Sequence, residues 1–283
     1  MQVHRVTNMY GEQCEDVINS STVLSNEVLS ETEIVYAQVD GGMVLTREKK
    51  WQEVKVGRIF KHSSIEKESE HRHKISASLY RARIGNNTDF CQDFAPIIAN
   101  FANIGARLVF ISDGATWIKN WSTTNYPDAT HILDYYHAAE YLSKWCEWTY
   151  NDKTIRSDEL DNCKKILLEQ GINPLIIHLN NVKENIENKS ETRKKEQDKI
   201  LNYLTNNAFR MDYPTYRKQG LCIGSGAIEA AHRTVVQKRM KRSGQHWSTP
   251  NVQNMLNLRT AQMSGQWETV LDKIRAPYCP MAA

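Results

Sequence analysis

Three carboxylates stand in settings that suit metal-assisted chemistry. Asp40 closes the apolar run IVYAQVD and is followed by Gly41 and Gly42. Asp113 closes ARLVFISD and is followed by Gly114. Both runs predict strands, so each aspartate is expected at a strand end. Ligands of α/β sheets gather beyond the carboxyl ends of strands. A carboxylate there, with glycine letting the backbone approach closely, suits a hard cation with oxygen ligands. For either motif alone, an ordinary Asp-Gly turn is the plain alternative. Glu229, in GSGAIEAAHRTVVQKRMKR, lies about one turn inside a helix that Ser225 or Gly226 can cap. A capping-box or dipole-compensating glutamate is the plain alternative there.

Taken together, two strand-end aspartates and a helical glutamate make a chemical unit. Mg²⁺ (or Mn²⁺) takes several hard oxygens and bridges carboxylates to phosphate. Two such ions clamp the attacking and leaving oxygens of an in-line phosphoryl transfer. Without metal, carboxylates 4 Å apart repel by about 4 kcal/mol at an effective dielectric of 20. Such a cluster is expected to be metal-bound, or partly protonated when empty.

The elements that must position these acids read as follows. Residues 33–45 predict a hairpin that turns at the Gly-Gly pair, and residues 51–65 a third, antiparallel strand. Residues 66–80 hold a charged turn and a further strand. His71 and His73, in ESEHRHKI, belong to an exposed polar turn rather than a metal site. Residues 88–105 carry apolar positions at helical spacing, with Gly105 as the stop. The Asp113 strand, a short helix to Pro127, a strand ending at Asp134 and an aromatic-rich helix follow. That order gives an α/β layer with a mixed sheet. Residues 151–215 favour helices, and residues 221–248 a Gly-rich turn with a long helix. A further helix is expected over 250–263. The expected division is an arm (1–32), a core (33–150), a helical insertion (151–215), a glutamate helix and its successor (216–263), and a tail (264–283).

The glutamate helix is strongly basic. Arg233, Lys238, Arg239, Lys241 and Arg242 follow Glu229, and Arg217 and Lys218 precede it. A solvated helix face is the bland reading of such a run. Adjacency to the glutamate favours DNA phosphates instead, which such cations bind without reading sequence. Trp51, Lys55 and Arg58 are weaker candidates for the DNA backbone. Trp247 is expected to pack, as are Trp117, Trp121, Trp145 and Trp148 at helical spacings.

The bulk numbers exclude little by themselves. The chain has 283 residues, 40% hydrophobic and 24% charged, with a formal net charge of +3. The six cysteines, Cys14, Cys91, Cys146, Cys163, Cys222 and Cys279, form no C-x-x-C pair. They read as reduced thiols, with neither a disulfide framework nor a structural zinc site. No apolar run approaches the roughly 20 residues that span a bilayer. The N-terminus lacks a signal-peptide core. A cytoplasmic protein, nucleoid-associated through DNA and without a membrane partner, is expected.

With these pieces in order, the chain resembles the DDE transposases of bacterial insertion sequences, closest to the Mutator-like and ISKra-type groups. The matching pieces are VDGG with W-x-E-x-K-x-G-R-x-F after it, ISDGATWI, YPDATHILDYYHAAEYL and IGSGAIEAAHRTVVQKRMKRSGQHWS. They span residues 33 to about 260. The resemblance implies an RNase H-like mixed sheet flanked by helices, with an all-helical insertion before the last catalytic helix. It implies Asp40, Asp113 and Glu229 as the three acids, and His137 as support for the site or the DNA. Asp134 ends the next strand and is a weaker rival to Asp113. The implied reaction is cleavage and strand transfer at the ends of a mobile element. The implied partners are double-stranded DNA and a dimer or larger assembly on it. Relatives carry a substantial N-terminal DNA-reading region, whereas about forty residues precede Asp40 here. A nuclease that cuts without joining, or an inactive truncated remnant, are the alternatives.

Overall fold

The computed structural model describes residues 2–20, 33–69, 72–185 and 190–275. His71 and Cys279 lie outside the described residues. The chain divides into two compact units. Unit 1 comprises Met1–Phe110, Asn120–Thr130 and Gly226–Ala283; unit 2 comprises Ile111–Lys119 and His131–Ser225.

A five-stranded mixed sheet flanked by helices organises the fold, in an arrangement compatible with an RNase H-like one. Its strands are β1 (Ile34–Thr46), β2 (Lys50–Lys61), β5 (Leu79–Ile84), β6 (Arg107–Ser112) and β7 (Thr130–Leu133), in the order β5-β2-β1-β6-β7. A two-stranded ribbon of β3 (Ile65–Ser69) and β4 (Arg72–Ile75) stands apart from it. His73 is therefore on a strand, exposed, rather than in a turn.

The hairpin expected over 33–45 is corrected. β1 runs unbroken through Asp40, Gly41 and Gly42, and the chain turns only after Thr46. Asp40 pairs with Val56 and Gly42 with Val54 in the antiparallel register of β1 and β2. The glycines serve close approach rather than a turn. A Cβ on Gly41 would stand 2.3 Å from Glu53 Oε1, and one on Gly42 2.9 Å from the His232 ring.

Both faces of β2 are covered, which explains its unbroken burial from Val54 to Lys61. Val54 and Val56 pack with Val44, Ile228, Val235, Val236, Met240 and Leu256 on one face. On the other, Gly57 lies against the Phe94 ring of α2 (Asn87–Asn103). α2 begins where the Asn86 side chain caps the Asp89 amide at 2.8 Å. α1 (Gln2–Ser20) packs on α11 (Thr249–Met263) and α12 (Trp267–Arg275) around Cys14, Ile18, Ala261 and Val270.

The basic segment folds as α9 (Gly226–Ala231), one π-helical stretch (His232–Gln237) and α10 (Lys238–Met240) in direct succession. Unit 2 opens with the end of β6 and the start of α3 (Thr116–Asn125). Its helices are α4 (Tyr135–Thr149), α5 (Lys153–Glu169), α6 (Ile172–Asn185), α7 (Glu191–Asn206) and α8 (Tyr213–Lys218). α4 packs on α5 and α7, and α6 on both as well. Trp145, Cys163, Leu167, Leu175, Leu179 and Leu204 fill the space among them, each wholly buried. Trp121 packs among Phe94, Phe110 and Tyr126. Trp148 departs from the packing expectation: it sits at the outer edge of α4 and is 36% exposed.

Candidate active site

Period-two alternation along β1 and β2 places Asp40, Gly42, Val54, Val56 and Arg58 on one face. α9 packs on that face of unit 1. Arg58 Nη1 donates to the Ala227 carbonyl of α9 at 2.8 Å, and Arg58 Nε donates to Ser78 Oγ at 3.0 Å. The guanidinium also lies over the Phe60 and Tyr80 rings. Burial pushes its pKa down, yet an arginine stays charged. Lys55, on the opposite face, is 2% exposed and donates to Glu53 at 2.8 Å. Neither cation faces solvent, so the expectation that Lys55 and Arg58 touch DNA is corrected: both hold the strand to its neighbours. Trp51 is 60% exposed.

Glu229 lies on α9, two residues after Ala227, and is exposed. Among the described residues no cation or hydrogen-bond donor engages its carboxylate. His232 follows one turn later and is buried. Its Nε2 stands 3.6 Å from Asp40 Oδ2. That is charge proximity rather than a hydrogen bond, and Nε2 has no hydrogen-bond partner among the described residues. Asp40 Oδ1 accepts from the Gly41 amide at 2.7 Å. Unit 1 thus brings Asp40, the Glu229 helix and His232 onto packed elements.

Unit 2 carries the second aspartate. Asp113 follows β6 directly, as expected, and its Oδ1 accepts from the Ala115 amide at 2.9 Å. Arg210, 2% exposed, donates to the carbonyls of Ser112, Asp113 and Ile132 and to Ser112 Oγ. The guanidinium therefore ties the ends of β6 and β7 through their backbone and leaves the Asp113 carboxylate to other partners. Gly114 makes room for Tyr203, whose hydroxyl lies 2.0 Å from where a Cβ would stand. The Tyr203 ring stacks on Tyr141 at 3.7 Å, and His137 meets both rings edge-on. Burial pushes the Tyr203 hydroxyl well above its ordinary range, and neighbouring Tyr141 adds to this. The hydroxyl is buried without a hydrogen-bond partner among the described residues.

Asp134 has a structural occupation. It is 4% exposed, caps α4 through the Tyr136 amide at 3.1 Å, and accepts from Ser225 N at 3.1 Å and Ser225 Oγ at 2.7 Å. A side chain engaged three times offers less to a metal than Asp113 does. Arg217, Lys218, Arg233, Lys238, Arg239, Lys241 and Arg242 are all exposed. The first two belong to unit 2 and the other five to unit 1. Trp247 packs against the core beneath α9 and α11, as expected.

Three side chains at these sites escaped the sequence reading: His232, Arg210 and Tyr203. The second glycine of the Asp40 strand was the available signal for His232, because glycine inside a strand marks a close approach.

The family model described as an uncharacterised protein family, UPF0236, matches residues 20–272. The chain belongs to UPF0236. One member, described as "UPF0236 protein in vanSb 3'region" of Streptococcus gallolyticus, is 22% identical over 274 residues. The match covers 94% of this chain and 57% of the relative, so the chain spans little more than half the relative's length. Among solved structures, the Drosophila P element transposase strand transfer complex overlays 93% of this chain and 70% of that one. Its identity is 8% and its TM-score 0.28, too low to bear on what this UPF0236 chain does. Among the described residues no helix is long and apolar enough to cross a membrane.

Proposed function

We propose that this UPF0236 chain carries the catalytic domain of a DNA transposase, cutting and joining phosphodiester bonds with Asp40, Asp113 and Glu229. The observation that carries the reading is the state of these carboxylates. Among the described residues no cation engages the exposed Glu229 carboxylate, and none hydrogen-bonds that of Asp113. Arg233 is one turn beyond Glu229 and faces solvent, and Arg210 Nη2 donates to the Asp113 carbonyl rather than to its carboxylate. Exposed or half-buried acids spared by neighbouring cations suit a hard divalent ion.

The donor set fits Mg²⁺ or Mn²⁺, because all three groups are carboxylates. Two ions held by Asp40, Asp113 and Glu229 would supply Lewis-acid stabilisation of the attacking and leaving oxygens. The chain's own residues do the rest. His232 Nε2 and the Tyr203 hydroxyl are buried polar groups beside Asp40 and Asp113, still able to hydrogen-bond a water or a phosphate oxygen. Arg233, Lys238, Arg239, Lys241 and Arg242 offer phosphate contacts along the segment that begins with Glu229, and Arg217 and Lys218 extend the cationic surface of unit 2. His137 supports Tyr141 and Tyr203 from the side. No covalent protein nucleophile is required. DNA ends and a target duplex are the proposed partners, bound by two or more copies of the chain, in the cytoplasm and on the nucleoid.

The test is cleavage and joining of labelled DNA from the gene's own flanks, with Mg²⁺ or Mn²⁺ against chelator, for wild type and Asp113→Asn. Metal-dependent products that vanish in the variant support the site, and joined products distinguish a transposase from a nuclease that only cuts. Binding without products, in wild type as in variant, would instead indicate an inactive DNA-binding remnant.

A further inference from the structure

Unit 2 holds a second group of ligating side chains that phosphoryl transfer does not use. Glu159 and Cys163 stand four residues apart on α5 and so share one helix face. His178 projects from α6. One ligand atom from each of the three lies within 4.8 Å of the other two. His178 Nε2 is 2.6 Å from Glu159 Oε1, and Cys163 Sγ is 3.6 Å from the same oxygen. Cys163 is wholly buried, while the Glu159 and His178 side chains are 14% and 27% exposed. The Cys146 thiol, on α4, is buried as well.

We propose that Glu159, Cys163 and His178 bind a divalent cation of the zinc class, with a water completing a tetrahedral set. The donor chemistry selects the ion: a thiolate with an imidazole and a carboxylate suits Zn²⁺ and disfavours Mg²⁺. The geometry is near what such an ion needs. Zinc–sulfur and zinc–oxygen bonds of about 2.3 and 2.1 Å set tetrahedral edges of roughly 3.5 Å. The Cys163–Glu159 separation already has that length. The shorter His178–Glu159 contact is the hydrogen bond of the metal-free state, and a small side-chain rotation opens it. Cys163 must bind as thiolate, so its proton leaves to solvent as the ion enters. The bound ion would fasten α5 to α6. A histidine–glutamate pair over a packed cysteine is the arrangement without metal, and it differs in what it binds.

The full chain, freed of metal and kept under a phosphine reductant, would be titrated with Co²⁺. Tetrahedral visible bands and a thiolate-to-cobalt charge-transfer band should grow to the intensity of one site per chain, and Zn²⁺ should displace them. Cys163→Ser should abolish that charge-transfer band. His178→Gln and Glu159→Gln, with circular dichroism unchanged, should weaken Co²⁺ binding by roughly 100-fold or more, beyond the cost of losing an outer-sphere partner. Removal of Zn²⁺ by chelator from the refilled chain should restore the band on renewed addition of Co²⁺. The proposal is overturned by a wild-type chain with no charge-transfer band, or by a band that survives Cys163→Ser.

Discussion

The His232 imidazole stands 3.6 Å from the Asp40 carboxylate, over a strand position where Gly42 has no side chain to intervene. Gly42→Ala puts a methyl 2.9 Å from two atoms of that buried ring. The ring has little freedom to retreat, because His232 is 6% exposed. Overpacking of this kind costs about 1–3 kcal/mol. Urea melts should show that loss in Gly42→Ala, and His232→Ala should restore much of it in the double variant. An additive pair would mean that the two side chains do not compete for the same space.

Gly114 and Tyr203 should be coupled in the same way. A Cβ on Gly114 would overlap the Tyr203 hydroxyl, 2.0 Å away, and Tyr141 stacks on that ring at 3.7 Å. Gly114→Ala should therefore destabilise the chain by about 1–3 kcal/mol. In a double-mutant cycle with Tyr203→Ala, an interaction energy of about 0.5–3 kcal/mol is expected. DNA cleavage should fall in Gly114→Ala, because the displaced residue adjoins Asp113.

Alkaline pH should weaken the fold through its buried thiols. Burial pushes Cys14 and Cys91 up to about 11 each. An unfolded thiol titrates near 8.5. Above that value the unfolded chain sheds protons that the folded chain retains, so stability falls as pH rises. The loss should begin near pH 8.5 and level off above about 11 for these two groups. Urea midpoints at pH 7, 9 and 10.5 would show the slope, and Cys14→Ala should flatten it. A midpoint independent of pH in this window would contradict the assignment.

The exposed cations of the Glu229 segment should set the salt dependence of DNA binding. Each neutralised phosphate contributes about 0.9 to the slope of log K against log salt. Replacing Lys238, Arg239 and Lys241 by alanine should lower the slope by roughly that amount for every phosphate the variant no longer engages. It should do so about equally on unrelated duplexes, since binding to phosphate carries no sequence information. Fluorescence anisotropy across a salt series would measure it.

Periodicity made much of this architecture legible. The runs ending at Asp113 and Asp134 are short and apolar between turn residues, and both proved to be strands. The helical spacing of 88–105 and the aromatic helix after Asp134 were read correctly for the same reason. Local pattern failed where a residue answers to distant partners. Gly41 and Gly42 look like a turn, yet they serve Glu53 and His232, which come from β2 and from a helix near the other end of the chain. Lys55 and Arg58 look like surface cations, because charged residues are seldom fully buried. Only the packing of a helix on each face of β2 turns them inward. Arg210 was unreadable for a related reason: three of its four partners are backbone carbonyls, which leave no trace in sequence.

The π-helical stretch from His232 to Gln237 has a consequence for how acid and cations are phased. A π turn takes in one residue more than an α turn, and each residue advances an α-helix by about 100°. Lys238 and Arg239 are thus rotated by roughly that angle from where an unbroken α-helix would aim them, while Glu229, upstream, keeps its bearing. Loss of one residue from the stretch would swing the cationic end about the axis and leave the glutamate in place. The compass heading of the charge and the position of the acid are written on one helix but can change independently.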